Sequence, residues 1–112
     1  MSVNLVILVG NLGKDPEVRH TSSGVSVASF PLATSERYKD RDGQRQEKTE
    51  WHNIIVWREM ADNAAKFLTK GSKIYVEGKI QTRSYDDRDG MKKYITEIVA
   101  DKIRFLDSKP QD

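Results

Sequence analysis

The sequence predicts an all-β domain: a five-stranded barrel with one helix between its third and fourth strands and two long protruding hairpins. Three observations carry this. Apolar residues alternate at period two through most of the chain. Residues 58–70 instead repeat their apolar positions at helical spacing. The tetrapeptide Asp-Arg-Asp-Gly occurs at 40–43 and again at 87–90, each time between two long alternating runs, where a hairpin needs its turn.

The elements follow in order. From Val3 to Val9, one side carries Val3, Leu5, Ile7 and Val9 and the other Asn4, Val6 and Leu8, so the first strand is apolar on both faces. Gly10 and Gly13 suit a bent strand at a barrel corner. Residues 17–21 and 25–38 read as a short strand, a Ser-Ser-Gly turn and a long strand, in which Pro31 marks an edge or a bulge. KDRDGQRQEK makes a hairpin tip, and the chain returns over 48–57. In REMADNAAKFLTK the helical stripe is Met60, Ala64, Phe67 and Leu68, and Gly71 stands where a C-terminal cap belongs. A strand from Lys73 to Tyr85 bends near Gly78, DDRDG turns it, and Met91 to Leu106 closes the domain. Three strand regions, a helix and a hairpin fit a Greek-key barrel such as the OB-fold over residues 1–106. A helix packed on an open sheet would share much of this pattern. Residues 107–112, DSKPQD, are a polar end expected to be disordered.

Composition narrows the function. A chain of 112 residues is long enough for one modest core. No apolar run is long enough to span a membrane, and no signal-peptide pattern is present. Cysteine is absent, which removes disulfides, thiolate zinc sites and a cysteine nucleophile, and fits a cytoplasmic location. Charged residues make up 32% of the chain, yet the net charge is only +2. Bulk charge therefore permits a nucleic-acid ligand without announcing one.

Several chemistries fall away. GNLGKD has its glycines too close for a phosphate loop, and Asp15 stands where a magnesium-binding hydroxyl would be. Laid on a calcium loop, the two DRDG segments put Tyr38 and Tyr85 at the first position and Thr49 and Thr96 at the twelfth, so both essential carboxylates are missing. The histidines, His20 and His52, form no triad with their neighbours. No enzyme, cofactor or metal site is expected.

The segment TEWHNIIVW holds both tryptophans, Trp51 and Trp57. Their spacing puts both rings on one side of a strand with Asn53 and Ile55, while His52, Ile54 and Val56 take the other. Tyr38 and Tyr85 stand at the hairpin arms among Lys39, Arg41, Arg45, Lys48, Arg83, Arg88, Lys92 and Lys93. Aromatic platforms in a basic groove bind single strands without reading sequence, because every base has a π-face. Two tryptophans on a strand equally describe a core or a subunit contact.

Five stretches then converge: VILVGNLGKDPEVR, LATSERY, TEWHNIIVW, LTKGSKIYVEGKI and QTRSYDDRDG, in order over residues 3–106. Together they resemble the bacterial-type single-stranded DNA-binding proteins of the OB-fold class. The resemblance implies sequence-independent binding and protection of single-stranded DNA in replication, recombination and repair, by a nucleoid-associated cytoplasmic protein. It implies base stacking on Tyr38, Trp51, Trp57 and Tyr85, with Arg41, Lys70 and Arg83 as matching basic positions. Asn53, Glu59 and Gln81 depart from the family's frequent Lys or Arg, which implies weaker phosphate contact. The family is usually a homotetramer. A barrel buries only one face of the first strand, so Val6 and Leu8, or the opposite row, want a partner, and His52 matches a histidine near the family's subunit contacts. Relatives commonly continue into a linker and an acidic tip that recruits replication and repair proteins. This chain ends at DSKPQD, so such recruitment is not expected of it. An OB-fold used for protein association and a single-stranded RNA binder are the rival functions.

Overall fold

A computed structural model describes residues 1–107. Residues 108–112, nearly all of the polar end, lie outside the described residues. Asp107 accepts a hydrogen bond from the Lys73 amide at 3.1 Å. The elements are β1 (Val6–Leu12), β2 (Glu17–His20), β3 (Ser26–Lys39), β4 (Arg45–Trp57), α1 (Glu59–Phe67), β5 (Lys73–Asp86) and β6 (Lys92–Phe105). The sheet runs β1-β5-β6-β4-β3-β2, and β1 also pairs with β3. That last pairing, Asn11 with Ala33 and Leu12 with Leu32, closes five strands into a barrel and leaves β2 as a leaf on β3. The open-sheet alternative is thereby removed. Pro31 falls where β3's outer edge passes from β2, last paired at Ser29, to β1, first paired at Leu32. A residue without an N–H is tolerated there.

The core is the inward row of each strand. Ala28, Phe30 and Leu32 of β3, Ile54 and Val56 of β4, Ile74 and Val76 of β5 and Ile98 and Ala100 of β6 are all buried. Gly10 and Gly78 allow the tight crossings, since a Cβ on either would run into a backbone carbonyl, that of Ala33 or Val99.

β1 departs from the expectation at both ends. It starts at Val6 rather than Val3, because the Asn4 side chain replaces the ladder there: its amide donates to the Ile80 carbonyl at 2.8 Å, and its carbonyl accepts from the Ile80 N–H at 2.9 Å. Val6 and Leu8 pack against the core, so their assignment to a subunit contact is corrected. Leu8 lies opposite Val76, an inward residue of β5, and must face inward with it. The opposite row is the uncovered one, with Ile7 53% and Val9 47% exposed.

α1 joins the third and fourth barrel strands and packs on β3 and β4. Its buried stripe is Ala61 and Ala64, continued by Leu68 and flanked by Met60. Phe67 is exposed instead, with its ring centroid 6.1 Å from that of Phe105. The helix ends in extended backbone at Leu68. Gly71, with φ 92°, serves the turn beyond it, where its amide donates to the Leu12 carbonyl at 2.8 Å.

Candidate nucleic-acid interface

The register of β4 decides which rings share a surface. Trp51, Asn53, Ile55 and Trp57 lie opposite Ala33, Pro31, Ser29 and Val27 of β3. Ile55 also meets Val99 of β6. Period-two alternation carries that outer face along β6 through Glu97, Ile95 and Lys93, and to their partners Gln81, Arg83 and Tyr85 on β5. Trp51, Trp57, Arg83 and Tyr85 therefore stand on one outer face. Trp51 is 59%, Trp57 43% and Tyr85 46% exposed, so none of these rings is core. On the same face, past Asn53 and Ile55, runs a groove of about 310 Å³ whose lining sets Lys14, Arg19 and Arg83 against Asp15, Glu17 and Glu97.

Tyr38 is not on this face. The β3–β4 register is unbroken from Val27–Trp57 to Lys39–Arg45, so Tyr38 alternates with Ala33, the partner of Trp51, and points to the opposite side of the arm. It is half exposed there, with Arg37, Lys39 and Arg45 around it. A larger hollow on the same arm, about 400 Å³, is lined by Thr34, Ser35, Glu36, Lys48 and Glu50. Two carboxylates against one cation suit it poorly to phosphate.

The three expected basic residues fall into different settings. Arg41 is exposed on the β3–β4 tip. That tip and the β5–β6 tip are the same turn. Asp40 Oδ1 accepts from the amides of Asp42 and Gln44, as Asp87 Oδ1 accepts from those of Asp89 and Met91, and both Gly43 and Gly90 have φ 76°. The Gln44 amide, the Gln46 side chain and the Asp42 amide together hold the Asp40 carboxyl below its ordinary value. Lys70 is exposed, its amide donating to Asp15 Oδ1 at 2.8 Å. Arg83 is bound to Glu97, and this bond raises its already high pKa.

His52 is half-buried on the inner side, with its Nε2 2.9 Å from the Thr34 hydroxyl. Asn53 Nδ2 donates to the Thr96 carbonyl at 3.4 Å, Gln81 lies opposite Glu97, and Glu59 opens α1. Sequence reasoning missed Lys14, Arg19 and Glu97 as groove residues. A lone carboxylate within the apolar run ITEIVA was the available signal for Glu97. Among the described residues no cluster of His, Asp or Glu is arranged to hold a metal, and no helix is long and apolar enough to cross a membrane.

A model of the single-strand binding protein family matches residues 3–106. The chain is 52% identical over 108 residues to single-stranded DNA-binding protein 1 of Chlorobaculum tepidum, covering 96% of this chain and 67% of that protein. It is 46% identical over 112 residues to the single-stranded DNA-binding protein of Neisseria meningitidis serogroup B, covering all of this chain and 64% of that one. A Plasmodium falciparum SSB in complex with ssDNA superposes with a TM-score of 0.86 at 35% identity, over 96% of this chain and 97% of that one. The chain thus spans about two thirds of the length of these curated relatives.

Proposed function

The chain belongs to the single-strand binding protein family, and on that premise we propose that it binds and protects single-stranded DNA, without reading its sequence, during replication, recombination and repair. The observation that carries this is the shared outer face of Trp51, Trp57, Arg83 and Tyr85, left open while the inward rows fill the core. Trp51 and Trp57 are separated by roughly 20 Å along the strand, so they hold an extended chain at two points rather than stacking on adjacent bases. Tyr38, on the other side of the arm, is a fourth platform reached when the strand wraps over the arm's edge. Arg41 and Lys70 carry charge toward the same ligand.

The chain acts as a binder and not as an enzyme. His52 has a hydroxyl rather than a carboxylate as its partner, and the ligand can be held without any bond being made or broken. The protein works where the DNA is, on the nucleoid in the cytoplasm. It does so as a homo-oligomer, a tetramer as the family resemblance implies. The support for self-association is β1: Leu5, Ile7 and Val9 are exposed, and among the described residues the strand's second edge is unpaired until Asn11. An apolar, unpaired edge strand favours a second copy.

Tryptophan fluorescence titrated with oligo-dT tests the function. Quenching that oligo-dT produces and equal-length duplex does not compete away supports it; a protein-association module would give no quench. Trp57→Ala should leave folding intact and weaken binding by about 1–3 kcal/mol on an oligonucleotide short enough for one subunit.

A further inference from the structure

Glu97 is only 3% exposed and is the one buried charged side chain among the described residues. An ionised carboxylate in that position is costly unless it is paired. Its partner is Arg83, whose Nε donates to Oε1 at 2.8 Å and whose Nη2 donates to Oε2 at 3.2 Å. Two parallel bonds fix the plane of the guanidinium as well as its position. The Arg83 side chain remains 50% exposed, against 4% for that of Glu97, so the fork holds it from below and leaves it open to the groove.

A guanidinium carries five N–H donors, and the fork uses one on Nε and one on Nη2. Among the described residues, both donors on Nη1 and the second on Nη2 have no partner. The positive charge is matched by the carboxylate beneath it, so a phosphate gains little by approaching. The flat face and the free edge stay open, and a guanidinium plane stacks on aromatic rings and bases as well as binding anions. Tyr85, two residues along β5 on the same face, sets the neighbouring platform.

We propose that Glu97 is a positioning residue that converts Arg83 from a phosphate-binding cation into a fixed base platform, stacking through its face and donating through its free edge to base carbonyls. This rests on the single-stranded DNA reading above.

The test is the dependence of oligo-dT affinity on salt, followed by tryptophan quenching on the whole chain. Arg83→Gln made together with Glu97→Gln, so that no carboxylate is left buried without a partner, should lower affinity by the same factor at every salt concentration and leave the slope of log affinity against log salt that of the unmodified chain. Glu97→Gln keeps the side-chain volume but removes the charge, so the released Arg83 should steepen the slope by about 0.7, the value for one added phosphate contact on a single strand. Affinity at high salt should fall at the same time. A slope shallower by about 0.7 in that double variant would make Arg83 a phosphate contact and overturn the proposal. Glu97→Gln with a lowered melting temperature and an unchanged slope would make Glu97 purely structural and also overturn it. Should Glu97→Gln fail to fold, the slope of the double variant, which leaves neither charge unpaired, decides alone. No quench with the unmodified chain would defeat the binding reading itself; normal binding there with either failed outcome defeats only this one.

Discussion

The indole of Trp51 lies directly on the backbone of Gly13. A Cβ at Gly13 would overlap Cζ3 and Cη2 of the ring, and Cγ of Pro31 stands 3.4 Å from the same point. The amide of Gly13 donates to the Pro31 carbonyl at 2.9 Å, which fixes the β1–β2 connection beneath the ring. One side of the indole is thus supported by main chain while more than half of its surface stays open.

Gly13→Ala should therefore displace Trp51 without unfolding the barrel. The position does not need a positive φ, so alanine is acceptable to the backbone and reduces the freedom of the unfolded chain. Oligo-dT affinity should fall by up to one stack, about 1–3 kcal/mol, with the melting temperature nearly unchanged. Equal affinity for both forms would show that the ring's support does not matter to binding.

This contact illustrates what was legible in the sequence. The sequence reads Gly13 as a bend at a barrel corner; that its bare backbone makes room for a ring arriving from a strand far along the chain is tertiary. The barrel, the helix and both hairpin tips were readable because period-two rows, a helical stripe and Asp-Gly turns are local signals. The tryptophans were assignable because they have the same parity on one strand. Tyr38 was grouped with them by proximity along the chain, and only the β3–β4 register shows that it has the opposite parity. Similarly, two apolar rows on β1 could not reveal which one faced inward until β5 supplied a partner for Leu8. The fork from Glu97 to Arg83 joins two strands across a hairpin, and neither residue alone announces it.

The exposed row of β1 gives a prediction about assembly. Ile7→Asp should dissociate the oligomer, since a charge buried without a partner at an apolar contact costs several kcal/mol, on the order of 3–5. Leu8→Ala should act differently, lowering the melting temperature by loss of core packing, on the order of 2 kcal/mol. Light scattering separates the two. A monomer mass for the unmodified chain at micromolar concentration would refute self-association.

The Asp40 turn gives a prediction about pH. Hydrogen bonds to its ionised form, from the amide of Gln44 first, hold its pKa below the ordinary 3.8. A depressed carboxyl contributes stability above the unfolded value and loses it as pH falls through the folded value. The β3–β4 tip should therefore stay ordered at pH 4 and loosen only further into acid. Amide shifts of Asp42 and Gln44 should titrate together with a midpoint below 3.8, and Asp40→Asn should abolish the transition. A midpoint at or above the ordinary value would show that these bonds do not favour the ionised form.

Arg58 connects the aromatic strand to the helix in a conformation that side chains avoid. Its φ is 60° and its ψ −129°, the one positive φ outside glycine among the described residues. Both of its backbone groups are held there: the amide donates to the Ser26 carbonyl at 2.8 Å, and the carbonyl accepts from the amides of Ala61 at 3.0 Å and Asp62 at 3.1 Å. No side chain caps α1, so this strained residue itself makes the turn from β4 into the helix. Such a conformation costs of order 1–3 kcal/mol. Arg58→Gly should remove most of that, offset by about 0.5–1 kcal/mol for the greater freedom of glycine in the unfolded chain, a net gain of about 1 kcal/mol. Arg58→Ala keeps the Cβ and should show no such gain, which separates relief of strain from loss of the side chain. Stabilisation by alanine as large as that by glycine would mean that the backbone at Arg58 stores no strain.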